Sequence, residues 1–331
     1  MSHSGQPTFS DDPILNNINI ANKLIQEGNF ESALNMLSEL MKDNNIDPDY
    51  PGLEAGYRTA KFWFNRKDEI ANLAVGKKTA DFFMNEWKSF EKYAQEKIIQ
   101  RSDAYQAVMM YVYYKTSEHY SLSFRNQEDT GNDLELLLNL GSCFLKLGDH
   151  HKTVETLEFA ARSYNANAKL LSLLGEAYYK LDDLPKSLLY FREAFFTDPS
   201  VIDLSMITSD YIIRLIELIN EERKNCFDVR EWIPVYGLIT DTFSERKMMQ
   251  ERQIESIKVR VATLEVNYQK MTKDQIDSSN VLPRLLAGYL CLLDYFEFQN
   301  YNFDNISQIR DRLLKIDHAL FENFLNKKRR K

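Results

Sequence analysis

The 331-residue sequence has few of the residues that interrupt helices, with only 11 glycines and 8 prolines. This scarcity favours long helices joined by short turns, and we find no convincing strand pattern. Cysteine is also scarce. The sequence has an odd number of cysteines that lie far apart, namely Cys143, Cys226 and Cys291. We therefore expect no disulfide framework and interpret each cysteine as a small apolar core residue in a reducing compartment.

The sequence also lacks an apolar run of the roughly 18 to 20 residues that a membrane span requires, and its polar start lacks the layout of a secretory signal. We therefore expect cytoplasmic residence, with a nuclear location left open for a eukaryotic source. An excess of positive charge is missing as well, because the formal net charge is −8. Since phosphate contacts require a basic face, this composition argues against a general nucleic-acid-binding protein.

Familiar catalytic signatures are missing too. Gly76 begins a run that looks like the end of a phosphate-binding loop, but position 71 is alanine where that motif requires glycine. The triplet at 129–131 matches the aspartic proteases, yet it is a single copy in a polar loop. His150 and His151 are adjacent, so on a helix they point apart and cannot jointly hold a metal ion. We therefore predict no enzyme activity, no catalytic residue, no metal site and no cofactor.

What the sequence does contain is a repeat with a period of 34 residues. The segment Leu-Gly-Ser-Cys-Phe at 140–144 returns as Leu-Gly-Glu-Ala-Tyr at 174–178. Two further matches at the same interval are Leu157 with Phe191 and Ala160 with Ala194. A period of this length is typical of stacked helix–turn–helix units.

The pattern resembles the tetratricopeptide repeat (TPR), a 34-residue unit with small and large apolar residues at fixed positions. Counted from Leu134 and Ala168, position 8 is glycine and position 11 is aromatic in both copies. Glycine at position 8 has a physical reason, because without a side chain there the second helix can lie close against the first. We therefore expect Gly175 to be covered by the large residues at positions 11 and 24.

Two weaker copies flank the clear ones. The N-terminal copy starts at Ile14, follows a good helix start at 12–13 (aspartate as N-cap, then proline) and has Gly28 in its turn. The third copy starts at Ile202, but no turn follows its first helix at the expected place. We therefore predict one long helix over 202–222.

These observations predict an all-α protein, built as a right-handed superhelical α-solenoid of TPR-like repeats. The predicted order is a disordered N-terminal tail (1–13), an N-terminal TPR-like helical block (14–128), two clear repeats (129–201), a C-terminal block of degenerate repeats or a cap (202–326) and a basic tail (327–331). Within the C-terminal block, apolar residues recur at helical spacing and predict single helices over 254–268, 282–296 and 306–325.

The resemblance implies a concave groove in which positions 2, 5, 9, 12 and 13 of each first helix contact a partner peptide. Position 13 is Lys146, Lys180 and Arg214, which we name the basic ladder. The other candidate partner-binding residues are Ser142, Glu176, Asp210, Lys169 and Tyr179. The alternative is that position 13 is only a solvated edge, which lysine or arginine often occupies. Against that alternative, a row of like charges in a groove costs repulsion unless an anionic partner or the neighbouring Glu176 and Asp210 relieve it.

We therefore predict a non-enzymatic scaffold or adaptor that binds a protein or peptide partner, with an acidic partner segment expected from the basic ladder. Two alternatives stay open. One is a regulator in which a peptide or metabolite closes the superhelix. The other is a nucleic-acid-associated factor, which only the basic tail suggests. The same run is also typical of a nuclear address in a eukaryote or of an ordinary solvated end, and we favour the solvated end. The oligomeric state is left open.

Overall fold

Helices make up most of the computed structural model, which describes residues 12–47, 49–126, 133–164, 166–224 and 226–328. Helix accounts for 77% of the residues, and no strand occurs among the described ones. The all-α prediction is therefore confirmed. The predictions for the tail up to residue 11, for the loop at 127–132 and for the last three basic residues lie outside the described residues.

The chain divides into two compact units, Met1–Asp149 and His150–Lys331. This boundary falls between the two helices of the first clear repeat. Within the described ranges, no helix combines the length and the apolar character needed to cross a membrane.

The first unit has seven helices in its described part, and α6 packs against α1, α3, α5 and α7. Their bounds are α1 (Pro13–Gln26), α2 (Phe30–Lys42), α3 (Leu53–Phe64), α4 (Lys67–Ala71), α5 (Lys77–Glu96), α6 (Asp103–Asn126) and α7 (Asp133–Lys146). Aromatic rings fill the core between these helices. Phe30 meets Tyr111 edge to face with ring centroids 5.1 Å apart, and Trp63 is fully buried beside Phe30.

The α1–α2 pair matches the predicted N-terminal copy. The carboxylate of Asp12 accepts a hydrogen bond from the backbone N–H of Ile14 at 2.8 Å, so it caps α1 as expected. Gly28 lies in the turn with φ +82°, and a side chain there would collide with the ring of Tyr111. Both local predictions, the helix start and the glycine turn, are confirmed.

The second unit has ten α-helices in its described part, and α15 packs against α12, α13, α14 and α16. The bounds are α8 (His150–Ala161), α9 (Ala168–Lys180), α10 (Leu184–Thr197), α11 (Asp210–Glu222), α12 (Val229–Ile239), α13 (Glu251–Lys270), α14 (Lys273–Asp277), α15 (Val281–Phe298), α16 (Phe303–Ile316) and α17 (His318–Lys328). The helices predicted over 254–268 and 282–296 correspond to α13 and α15.

The α9–α10 pair shows why the second clear repeat carries a glycine at position 8. A Cβ atom added to Gly175 would lie 2.8 Å from the ring of Phe191, closer than real Cβ contacts allow. The hydroxyl of Ser187 on α10 donates a buried hydrogen bond of 2.8 Å to the carbonyl of Gly175. The expected close approach of the two helices at Gly175 is therefore confirmed.

The single long helix predicted over 202–222 is wrong, because α11 begins only at Asp210. Two short 3₁₀ turns, Pro199–Val201 and Leu204–Met206, precede it. The carboxylates of Asp198 and Asp203 accept hydrogen bonds from backbone N–H groups two residues onward, at 3.2 and 3.0 Å. Such local bonds compete with helical hydrogen bonding, which explains why the apolar pattern alone overestimated the helix.

The single helix predicted over 306–325 is also wrong, since Asp317 separates α16 from α17. Its carboxylate accepts a hydrogen bond from the Leu320 backbone N–H at 3.0 Å, which caps the second helix. The same carboxylate pairs with the guanidinium of Arg223 at 2.6 Å. A distant ion pair and a local cap therefore hold the break in place.

A buried ion pair joins α10 to α15 in the second unit. The guanidinium of Arg192 donates to the carboxylate of Asp294 at 2.7 Å, and both side chains are at most 7% exposed. Arg192 also donates to the carbonyls of Phe243 and Glu245, at 2.8 and 3.2 Å. The second carboxylate oxygen of Asp294 accepts from Arg246 at 2.9 Å. Because every charged partner is bonded, this pair can be buried without an orphaned charge.

We predict that Gly175→Ala destabilises the second unit by about 1 to 2 kcal/mol, because overpacking against Phe191 outweighs the gain in helix propensity. Hydrogen exchange of the α9 and α10 amides measures the change. In a Phe191→Leu background the same substitution should cost little, since the ring that causes the clash is gone. An equal cost in both backgrounds would contradict the packing argument.

We also predict that Asp294→Ala costs about 3 to 5 kcal/mol, because it leaves Arg192 buried without its carboxylate. The double variant Arg192→Met/Asp294→Leu should recover most of this loss, as it removes both charges together. Urea unfolding of the full chain gives the comparison. The matched control is Asp311→Ala, which removes an exposed aspartate and should change stability by less than about 0.5 kcal/mol. If Asp294→Ala lowers the free energy of unfolding no more than Asp311→Ala does, the prediction is contradicted.

Candidate interaction surface

The residues predicted to contact a partner fall in both compact units. Ser142 and Lys146 belong to α7 in the first unit. The other six lie on α9 and α11 in the second unit: Lys169, Glu176, Tyr179, Lys180, Asp210 and Arg214. Because six of the eight predicted residues lie on these two helices, we name these six the α9–α11 surface.

The position of α9 follows from its sequence. The side chain of Asn167 accepts a hydrogen bond from the Leu170 backbone N–H at 2.9 Å and caps the helix. Nearly every residue from Leu170 to Tyr178 is buried. The ring of Tyr178 stacks on Tyr190 of α10 with centroids 5.5 Å apart, and its hydroxyl donates to Glu158 of α8. Packing on two sides therefore holds α9 in a fixed orientation.

Glu176 is buried, with only 1% of its surface exposed. Its carboxylate accepts a hydrogen bond from the Thr208 hydroxyl at 2.5 Å and another from the Ser209 backbone N–H at 3.2 Å. Ser209 immediately precedes α11, where the helix dipole favours negative charge. Glu176 therefore links the start of α11 to α9. Because its carboxylate is buried, it is not accessible to a partner in this structure.

Lys180 and Tyr179 lie at the end of α9 and reach solvent. Lys180 is exposed, while Tyr179 is half-buried. The ammonium group of Lys180 lies 3.9 Å from the carboxylate of Glu176 and 5.6 Å from the centre of the Tyr179 ring. A neighbouring carboxylate therefore relieves part of the charge that the basic ladder places here.

Asp210 and Arg214 lie one helical turn apart at the beginning of α11, and both are exposed. Lys169, near the start of α9, is exposed as well. In the first unit, Lys146 is the last residue of α7 and is half-buried. The hydroxyl of Ser142 donates to the Leu138 carbonyl of its own helix at 2.8 Å, so its hydrogen-bonding capacity is partly used. The second unit's set therefore presents three accessible cations, Lys169, Lys180 and Arg214, and one accessible carboxylate, Asp210.

The structure adds a cleft that the sequence analysis did not single out. It has a volume of about 330 Å³ and lies along the exposed face of α3 in the first unit. Tyr57 and Lys61 line it from α3, with Met41 from α2 and Tyr93 from α5. The spacing of Tyr57, Lys61 and Asn65 by four residues places an aromatic ring, a cation and an amide on one helix face. That spacing is the sequence signal that could have indicated this face.

The described residues offer little for covalent or metal chemistry. Burial raises the pKa of the Cys143 thiol to about 12 and that of Cys291 to about 11, so neither is a thiolate at neutral pH. Cys226 is half-buried, and burial raises its pKa too. Among the same residues, no group of three or more histidine, cysteine or acidic side chains is arranged to hold a metal ion.

Comparison with known proteins gives no further assignment. No family model matches this chain, and no curated protein or solved structure is significantly similar to it.

We predict that Glu176→Ala loosens the start of α11, because the Ser209 N–H and the Thr208 hydroxyl lose a charged acceptor worth about 1.5 to 3 kcal/mol. The amides of Ile212 and Ile213, which donate to the Ser209 carbonyl, should exchange about tenfold faster or more. Glu176→Gln keeps an acceptor oxygen and should retain part of the protection. Glu217→Ala removes an exposed carboxylate from α11 and serves as the control. Unchanged exchange in Glu176→Ala would show that α11 is held in some other way.

Proposed function

We propose that this chain is a non-enzymatic scaffold or adaptor, built as a right-handed solenoid of TPR-like repeats, and that it binds a segment of a protein partner along its first helices. The observation that carries the proposal is the close packing of Gly175 against Phe191. These residues occupy positions 8 and 24 of the repeat, where the TPR resemblance requires a small residue beneath a large one. The α1–α2 pair is a further pair of consecutive helices, with Gly28 in its turn.

The proposed partner segment is acidic. Lys169, Lys180 and Arg214 are exposed on the α9–α11 surface, and Asp210 is the exposed carboxylate of that set. Glu176, next to Lys180, is buried and already bonded to the start of α11. Exposed charges contribute about 0.2 to 1 kcal/mol each, so several must act together to give measurable affinity. The three residues of the basic ladder together should contribute on the order of 1 to 3 kcal/mol.

The proposed compartment is the cytoplasm. Cys143 and Cys291 are free, buried thiols, which suits a reducing environment where core cysteines serve as small apolar residues.

The test is to capture a partner with the intact chain and then to titrate it against the triple variant Lys146→Glu/Lys180→Glu/Arg214→Glu at two ionic strengths. We expect the affinity to fall roughly fivefold or more and the salt dependence to become weaker, because the attractive field has been reversed. Circular dichroism should show an unchanged helix content, since none of the three side chains is fully buried.

The control is Lys88→Glu/Lys224→Glu/Lys270→Glu, which also changes one exposed lysine in the first unit and two in the second. It alters the net charge by the same amount and should leave the affinity close to that of the wild type. Equal affinities and equal salt slopes for the ladder variant would mean that the basic ladder is a solvated edge. The partner surface would then have to be sought around Leu145, Tyr179 and Ile213.

A further inference from the structure

The cleft on α3 has the dimensions of a site for a short stretch of polypeptide. Its volume is about 330 Å³, and its lining runs along α3 from Glu54 to Arg66. Between Glu54 and Asn65 a helix rises by about 16 Å, which matches roughly five residues of extended chain. The lining therefore extends far enough along α3 to accommodate a short extended segment.

The charges of the cleft are unequally compensated. Arg58 donates from Nε to the carboxylate of Glu54 at 2.8 Å, one turn away on the same helix. Arg66 pairs with Glu86 of α5. Lys61, by contrast, is exposed, and no carboxylate of the described residues forms an ion pair with it. One uncompensated positive charge therefore lies in the middle of the cleft.

The walls next to Lys61 are aromatic and apolar. The Lys61 ammonium lies 5.5 Å from the centre of the Tyr57 ring and donates a long hydrogen bond of 3.5 Å to its hydroxyl. Phe62 packs against Tyr93 with ring centroids 5.3 Å apart. Met41 is 42% exposed and adds apolar surface to the cleft. The site thus presents apolar surface beside a cation.

These walls are held in place before any ligand arrives. The Arg66 guanidinium stacks 3.5 Å from the centre of the Phe62 ring and also donates to the Phe62 carbonyl at 2.7 Å. Trp63, on the opposite face of α3, is fully buried and anchors the helix in the core. A preformed site spends little conformational entropy on binding.

We propose that this cleft binds a short, extended protein segment in which an aspartate or glutamate stands next to an aromatic or aliphatic side chain. The carboxylate of the segment pairs with Lys61, and its apolar neighbour packs against Met41 and Tyr57. The exposed amide of Asn65 donates to or accepts from the backbone of the segment. A nucleic acid is the poorer fit, because a single uncompensated cation neutralises only one phosphate.

The test selects a library of random seven-residue peptides, displayed on phage, against the full-length protein. Peptides with an acidic residue beside an aromatic or aliphatic one should be enriched by the wild type. The variant Lys61→Glu should lose this enrichment, and so should Met41→Asp, which places a charge on the apolar wall. The control Lys88→Glu reverses an exposed lysine of α5 outside the cleft and should select the same peptides as the wild type.

Fluorescence anisotropy with one enriched, fluorescein-labelled peptide then gives the affinities. Lys61→Glu should weaken binding at least about fivefold, as reversal of a charge in a partly desolvated contact predicts. A copy of the peptide with amides in place of its carboxylates should bind weakly and respond little to Lys61→Glu. The combination of Lys61→Glu in the protein with amides in the peptide is a double-mutant cycle, and it isolates the interaction between Lys61 and the carboxylate.

Enrichment of peptides without acidic residues, no enrichment, or enrichment that survives Lys61→Glu would each overturn the proposal. The basic-ladder variant separates this site from the proposed function, since it leaves the cleft intact. Peptides lost only in that variant bind at the ladder and count against the cleft. Peptides lost only in Lys61→Glu support the cleft, whatever the outcome for the ladder.

Discussion

The buried ion pair between Arg192 and Asp294 is the constraint on which the second unit depends. It joins α10, at the end of the clear repeat, to α15, the helix that the C-terminal helices surround. Further hydrogen bonds make the burial of the pair tolerable, because Arg192 also donates to the carbonyls of Phe243 and Glu245 and Asp294 also accepts from Arg246. The ion pair thereby fixes the position of α10 relative to α15.

Buried carboxylates recur as fastening points elsewhere in the second unit. Glu176 holds the start of α11, and Glu231 accepts two hydrogen bonds from Arg284, at 2.6 and 2.8 Å, while only 2% exposed. Each is a charge that folding removes from water, so each must be fully bonded. Such an arrangement supports the acidic partner that we propose. Part of the chain's negative charge is kept inside, and cations such as Lys180 and Arg214 remain on the surface.

The first unit relies on aromatic packing instead. Phe30, Trp63 and Tyr111 meet in its core, and the ring of Tyr111 also fills the space that Gly28 leaves open. Rings of this size bury much apolar area, which makes α3 a rigid element. Its outer face can therefore hold Lys61 and Tyr57 in a defined geometry. This rigid core supports the peptide site that we propose at the α3 cleft.

Much of this architecture was determined by the sequence itself. Helical periodicity, the Asp12 cap, the Gly28 turn and the small residue at Gly175 are local or repeated signals, and each one is present in the structure as expected. They could be predicted because helix hydrogen bonds and caps span only a few residues. The two predicted helices were too long for a related reason, because polar side chains interrupt the apolar pattern. Asp203 forms a local hydrogen bond before α11 begins, and Asp317 separates α16 from α17.

Tertiary structure alone decided the burial and ion pairing of the candidate partner-binding side chains. Glu176 was expected to face a partner, but its burial depends on Thr208 and Ser209, which lie 32 and 33 residues away. Lys61 has no ion-pair partner among the described residues, while Glu54 pairs with Arg58 and Glu86 pairs with Arg66. The Arg66–Glu86 pair joins residues that are 20 positions apart in the sequence. Burial and ion pairing depend on which residues the fold brings together. Local sequence periodicity therefore determined the helices, whereas the fold determined which charges are left for a partner.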